Sequence, residues 1–402
     1  MVLFAEVMSE LGIRPDERCT IKIDLQQLLK FAAENKASDL HLQADAVPML
    51  RIGGQLRLVD ASPVSEEELL AFIGSIAPRQ EGALADHLAE GLDFSYAIPG
   101  VTRFRCSAFR QLGKPGIAMR VVHQKVPTLE ELHLPKTVGD IALSRRGLTL
   151  VAGTTGSGKS TTLAAMIDLI NQHHAVKIIT VEDPVEYVYT NNKSLISQLE
   201  VGLDTPSFAH ALRQALRQNP DVILVGELRD VDSLRMALQA ADTGHQVFST
   251  VHSATAPQTI DRIIAMFPPA EHKLLLMQLA NCLEAIIAQR LIQTHKDGQR
   301  PAIEILRGTP VSGKLIVEDK TLDLREYIER GESGMQSFDQ HILQMHREGL
   351  ISETEAMRWA TRPESLAMAV HGIATLGQNT HNHPASDSAS GGEAGFHGTE
   401  GI

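Results

Sequence analysis

One octapeptide constrains this chain more than any other feature: Gly153-Thr154-Thr155-Gly156-Ser157-Gly158-Lys159-Ser160. Its glycine, lysine and hydroxyl spacing is that of a phosphate loop. The glycines let the backbone curl until several N–H groups converge on one point. An apolar run at 148–152 precedes the curl and a helical pattern follows from Thr161. The converging N–H groups therefore lie beside the positive end of a helix dipole, where anions bind. In such a loop Lys159 bridges terminal phosphates and the Ser160 hydroxyl ligates magnesium, with Thr161 next along the nucleotide-binding stretch. The expected ligands are ATP and Mg2+.

The surroundings suit that loop. Short apolar runs at 148–152, 176–181, 222–225 and 246–251 alternate with helix-like segments at 163–171, 207–218 and 232–241. Such alternation predicts a largely parallel sheet covered on both faces, with functional residues at the carboxyl ends of its strands. Asp221-Val222-Ile223-Leu224-Val225-Gly226-Glu227 is an apolar strand ending in an acid, the expected holder of magnesium or its water. Glu182-Asp183-Pro184-Val185-Glu186 closes another strand. Three carboxylates there repel one another unless a cation sits nearby, and one of them can orient the attacking water. His245 and His252 flank the run 246–251, seven positions apart and so on opposite faces of a regular strand. Each either reads the terminal phosphate or satisfies a structural hydrogen bond. Arg103 and Arg105 share one face of an alternating strand. They serve either as solvated charge or as arginines lent to a phosphate site.

The chain has 402 residues, which suits two domains. Residues 1–125 mix helix and strand, including a helix through Leu25, Leu28, Leu29 and Ala32. A hairpin is expected at 49–58 around Gly53-Gly54, and a helix starting near Ser65. Proline-bearing residues 126–136 read as a linker, 137–372 as the phosphate-loop domain, and 373–402 as a disordered tail rich in Gly, Ser, Asn and His. The net charge of -12 argues against nucleic acid as a partner. Cys19, Cys106 and Cys282 form no paired motif, which suits a reducing compartment and a cytoplasmic location. The N-terminus lacks the pattern of a secretory signal, and no stretch reaches the ~20 apolar residues of a membrane span.

With these elements in place, the chain resembles the type IV pilus and type II secretion ATPases, in particular their PilT/PilU retraction branch. The resemblance runs from about Gln26 to Leu366. It rests on Ala37-Ser38-Asp39-Leu40-His41, Arg103-Phe104-Arg105, the phosphate loop, the box from Glu182 to Glu186, Val225-Gly226-Glu227-Leu228-Arg229-Asp230, Thr243-Gly244-His245 and Thr250-Val251-His252. It implies an α/β RecA-like P-loop ATPase domain behind a smaller PAS-like α+β domain, assembled as a hexameric ring with ATP between the domains. By resemblance Glu186 is the catalytic base, Glu227 the Walker B acid and metal partner of Ser160, and His252 and His245 belong to or flank the histidine box. Arg103, Arg105 and Arg120 become the arginines reaching the terminal phosphate. The implied partners are copies of the chain or a paralogous retraction ATPase, and an inner-membrane pilus platform protein.

Two features sort the branch. Extension and secretion ATPases carry a four-cysteine zinc module, whereas Cys282 stands alone in this half. PilT-type sequences follow Thr-Pro with Ala-Ile-Arg-Asn-Leu-Ile-Arg-Glu. Here Thr309-Pro310 is followed by Val311-Ser312-Gly313-Lys314-Leu315-Ile316-Val317-Glu318, without either arginine. That departure tilts the expectation toward a PilU-like accessory ATPase.

Overall fold

The computed structural model describes residues 24–35, 37–78, 82–99, 101–122, 125–295 and 298–373. The secretory-signal reading, Cys19 and the tail from 374 onward lie outside them.

The first half is α1 (Leu25–Glu34), β1 (Asp39–Gln43), β2 (Met49–Ile52), β3 (Gln55–Leu58), α2 (Glu66–Ile76), α3 (Leu84–Glu90), β4 (Leu92–Ile98), β5 (Thr102–Gln111) and β6 (Lys114–Val122). The strands form one antiparallel sheet in the order β3-β2-β1-β6-β5-β4. Gly53 (φ 58) and Gly54 (φ 80) both take the left-handed backbone that a two-residue hairpin turn needs. Ser65 opens α2 through a reciprocal capping box with Glu68. Strict alternation along β5 buries Phe104, Cys106 and Ala108 under the helices, so Arg103, Arg105 and Ser107 face the other way.

The second half begins with α4 (Lys136–Ala142), β7 (Gly147–Ala152), α5 (Lys159–His173), β8 (Lys177–Glu182), β9 (Leu195–Glu200), α6 (Phe208–Ala215), β10 (Val222–Val225), α7 (Val231–Asp242) and β11 (Gln246–Val251). It continues through α8 (Ala256–Ala265), α9 (His272–Cys282), β12 (Leu283–Gln293), β13 (Gln299–Arg307), α10 (Pro310–Val317), α11 (Thr321–Glu329), α12 (Phe338–Arg347), α13 (Glu353–Trp359) and α14 (Pro363–Val370). Pro363 starts a separate helix after the preceding one has ended at Trp359, since a proline ring fits the first helical position.

The seven-stranded sheet runs β13-β12-β7-β11-β10-β8-β9. Every neighbouring pair is parallel except β12 with β13. Both faces are buried, as the continuous apolar runs require. Leu148, Leu150, Ile223 and Val247 pack toward α7, α8 and α9. Val151, Leu224, Phe248 and Ile287 pack toward α4 and α5. No helix among the described residues is long and apolar enough to cross a membrane.

Candidate functional site

In a parallel sheet the carboxyl ends of adjacent strands lie side by side. The order β7-β11-β10-β8 therefore sets four chain segments in a row: the loop 153–158, His252, Glu227 and the acids from Glu182 onward. Side chains lash the row together. Ser249 Oγ donates to the Val225 carbonyl at 2.6 Å, and Thr250 Oγ1 to that of Gly226 at 2.7 Å.

The loop leaves β7 and enters α5 through Gly158, whose φ of 88° is the left-handed conformation glycine favours. A Cβ on Gly158 would come within 2.7 Å of Gln289 Nε2, and one on Gly153 within 2.3 Å of Ser157 Oγ. The first turn of α5 leaves the N–H groups of Lys159, Ser160 and Thr161 without helical partners, all pointing out of the helix start. Lys159 is buried, and its Nζ folds back to donate to the carbonyls of Gly153 (2.9 Å) and Thr154 (3.0 Å). Ser157 Oγ is buried without a partner, and Thr161 Oγ1 meets Tyr187 Oη at 3.0 Å.

The titrating groups form one electrostatic cluster. Burial pushes the Lys159 ammonium below its ordinary pKa, while Glu227 and Glu186 pull it back up. Burial works to raise Glu227, but its hydrogen bond and ion pair with Arg229 (2.7 Å), then His252 and Lys159, outweigh that and hold it low. His252 Nε2 lies 3.4 Å from Glu227 Oε1. Burial and the Lys159 charge keep its imidazole below the usual histidine range. The three acids after β8 have separated. Glu182 is buried, accepts from Thr180 Oγ1 at 2.6 Å and is pushed up to about 7 by burial, whereas Glu186 is exposed and faces Lys159 electrostatically. Turning Glu182 inward does not end the mutual repulsion, since the Glu186 charge still helps to raise it.

The remaining candidates do not converge on this cluster. His245 sits at the amino end of β11, where its Nδ1 meets the Ala240 carbonyl at 2.9 Å. A six-residue strand, ~20 Å long, parts it from His252. Arg105 and Arg120 oppose each other across β5 and β6, both exposed, with Arg120 Nε donating to Asp39 Oδ1 at 3.0 Å. Arg103 instead turns to the second half of the chain, where Nη2 donates to Glu200 Oε2 at 2.6 Å.

Sequence reasoning missed Gln289. From β12 it donates through Nε2 to the Ser157 carbonyl at 2.5 Å and accepts from Thr162 Oγ1 at 2.8 Å, bracing the loop and the helix behind it. The available signal was the Gln289-Arg290 pair interrupting the otherwise apolar stretch 285–292.

A parallel sheet covered on both faces, with a phosphate-loop sequence at its carboxyl edge, is the arrangement of RecA-like P-loop ATPases. The profile of the Type II/IV secretion system protein family matches residues 15–374. The chain belongs to this family, among its PilT/PilU-type ATPases. It is 42% identical over 344 residues to the type IV pilus retraction ATPase PilT of Pseudomonas aeruginosa, covering 85% of this chain and 100% of that one. It is 37% identical over 352 residues to the type IV pilus ATPase PilU of the same organism, covering 87% and 91%. The crystal structure of the pilus retraction motor PilT with bound ADP superposes with a TM-score of 0.79 at 39% identity, covering 85% of this chain and 98% of that one.

Proposed function

We propose that the chain is an ATP-driven motor subunit for type IV pilus retraction and twitching motility. The observation that carries this reading is the placement of Lys159 within the electrostatic reach of both Glu227 and Glu186, at the edge where the phosphate loop opens. Residues 153–160 and Thr161 would cradle the ATP phosphates. Lys159 would exchange its two carbonyl partners for the terminal phosphates. The residues present fit magnesium: Ser160 and Glu227 supply oxygen ligands of the kind it prefers, and the remaining positions go to phosphate and water. Bound there, the ion would neutralise charge developing on the phosphates. Glu186 would orient and deprotonate the attacking water. His252, held by Glu227, would report on the terminal phosphate.

Arg105 and Arg120 stand together on an exposed sheet face, which suits arginines lent to a phosphate in a neighbouring subunit of a hexameric ring. The antiparallel N-terminal sheet with helices on one face is the basis for reading it as PAS-like. On this reading, steps of the ring would drive an inner-membrane platform protein from the cytoplasm. Identity does not favour the PilU-like assignment, at 42% to PilT against 37% to PilU. One observation keeps an accessory or scaffold role as the second reading. On α10, Val311 and Val317 are exposed, and Val317 and Gly313 stand where PilT-type sequences have arginine. Turnover measured alone and with a PilT-type partner separates the two.

The direct test is steady-state phosphate release by the purified chain with Mg-ATP. Lys159→Ala and Glu186→Ala are each expected to lower the rate ~10²-fold or more. A wild-type rate equal to that of either variant overturns the reading.

A further inference from the structure

Glu200 ends β9 at the margin of the seven-stranded sheet, and its side chain is only 5% exposed. That one carboxylate collects donors from three separate segments. Ser95 Oγ on β4 donates to Oε1 at 2.7 Å. Arg103 Nη2 on β5 donates to Oε2 at 2.6 Å. The backbone N–H of Val185 donates to the same Oε2 at 3.2 Å. Glu200 is itself anchored, since its N–H donates to Asp204 Oδ2 at 2.9 Å and Asp204 N–H returns to its carbonyl at 2.8 Å.

Two of these donors belong to the N-terminal sheet. The third is the amide immediately before Glu186. We propose that Glu200 is a positioning residue, which transmits the placement of the N-terminal sheet to the backbone that carries Glu186. The inference rests on the reading above, in which Glu186 acts on the attacking water.

The physical reasoning is short. Arg103 and Val185 share one carboxylate oxygen, so moving or removing the guanidinium changes the oxygen's charge and aim at the amide. A nearly buried carboxylate with three donors has few other ways to satisfy itself, so displacement of one donor shifts the rest. Arg103 meets Glu200 through Nη2, while its Nε is buried without a partner. A guanidinium whose Nε has no partner is free to shift along the carboxylate as the sheets move, while still conveying where they stand. Catalytic geometry tolerates little error, so a small shift at Val185 suffices to change the rate.

The test uses the full chain and reads phosphate release against ATP concentration, together with equilibrium binding of a fluorescent ADP analogue. Glu200→Gln leaves one acceptor oxygen, enough for either Ser95 or Val185, and loses the charge that holds Arg103. Arg103→Gln removes the partner from the other side and alters no core residue. Each is expected to lower kcat ~10-fold while KM and analogue binding change ~2-fold or less, the mark of a misplaced catalytic group. The double variant is expected to lose no more than either single one, because both break the same link. Arg103→Lys should recover part of kcat. In a Glu186→Gln background, Glu200→Gln should have no further effect.

Wild-type kcat in both single variants, or a double variant losing the product of the two, overturns the proposal. So does a loss confined to KM. If wild type and Lys159→Ala release phosphate equally, the motor reading itself has failed. Normal wild-type turnover with undiminished Glu200→Gln activity defeats only the role of Glu200.

Discussion

Glu304 shows what a single misplaced charge can do to this molecule. It sits on β13, 4% exposed, where Oε1 accepts from the N–H of Ala256 at 2.8 Å and so caps the start of α8 just beyond His252. Burial pushes its carboxyl up to about 7, against the opposing pull of Arg290 and Arg325. The folded pKa is raised above the ordinary 4.5, so the native state holds a proton that the unfolded chain releases between these values. Stability from this site is therefore fully present below about 4.5 and falls as pH rises through about 7. Glu304→Gln keeps the oxygen for Ala256 without the charge. At about pH 8 it should be ~2–3 kcal/mol more stable than wild type, with the gain shrinking toward zero near pH 4.5. Denaturant unfolding at the two pH values checks this. Glu182, also pushed up to about 7 by burial, adds to the same slope in both proteins.

At the scale of elements, the strands that carry the loop, His252, Glu227 and the acids were legible, because buried parallel strands are short, uninterrupted apolar runs. β9 was not. It lies at a sheet edge, and its Ser197 and Gln198 break the apolar pattern. α10 announces itself through Thr309, Pro310 at its first position and a reciprocal cap with Ser312, yet a motif comparison alone does not say that those residues are helical. Lys159, Glu227 and the box from Glu182 to Glu186 could be placed in advance because each opens a helix or follows a recognisable strand, whereas Glu186 within that box and His252 over His245 came only from the family resemblance. Gln289 and Glu200 could not. Gln289 lies 132 positions from Ser157, and Glu200 lies 97 from Arg103, so no local pattern joins them. β12 reaches the phosphate loop through Gln289. Gln289→Leu strands the Ser157 carbonyl and the Thr162 hydroxyl, at a cost of ~2–4 kcal/mol in stability. It should also raise the KM for ATP several-fold with a smaller change in kcat, as thermal unfolding and steady-state kinetics would show.

Taken whole, the molecule is two sheets, the smaller with one core and the larger with one on each face, which meet where Ser95 and Arg103 reach Glu200. The larger sheet ends at β13, whose outer edge is answered group by group from the segment leading into α12. Ile305 N–H donates to the Gln336 carbonyl at 2.8 Å, and Gln336 Nε2 to the Ile303 carbonyl at 3.0 Å. Ile303 N–H donates to His341 Nδ1 at 2.9 Å. His341 can accept only while that nitrogen is unprotonated, and burial holds its pKa down at about 4 from the usual 6.5. This contribution is intact above 6.5 and is lost as pH falls through about 4. Once the imidazole takes a proton, the Ile303 N–H loses its acceptor, while the bonds from Gln336 to Ile303 and Ile305 stay in place. Denaturant unfolding should show this contribution lost as pH falls through about 4, and His341→Lys should lack it already near neutrality. One buried imidazole staying neutral thus keeps one amide of the outermost strand paired.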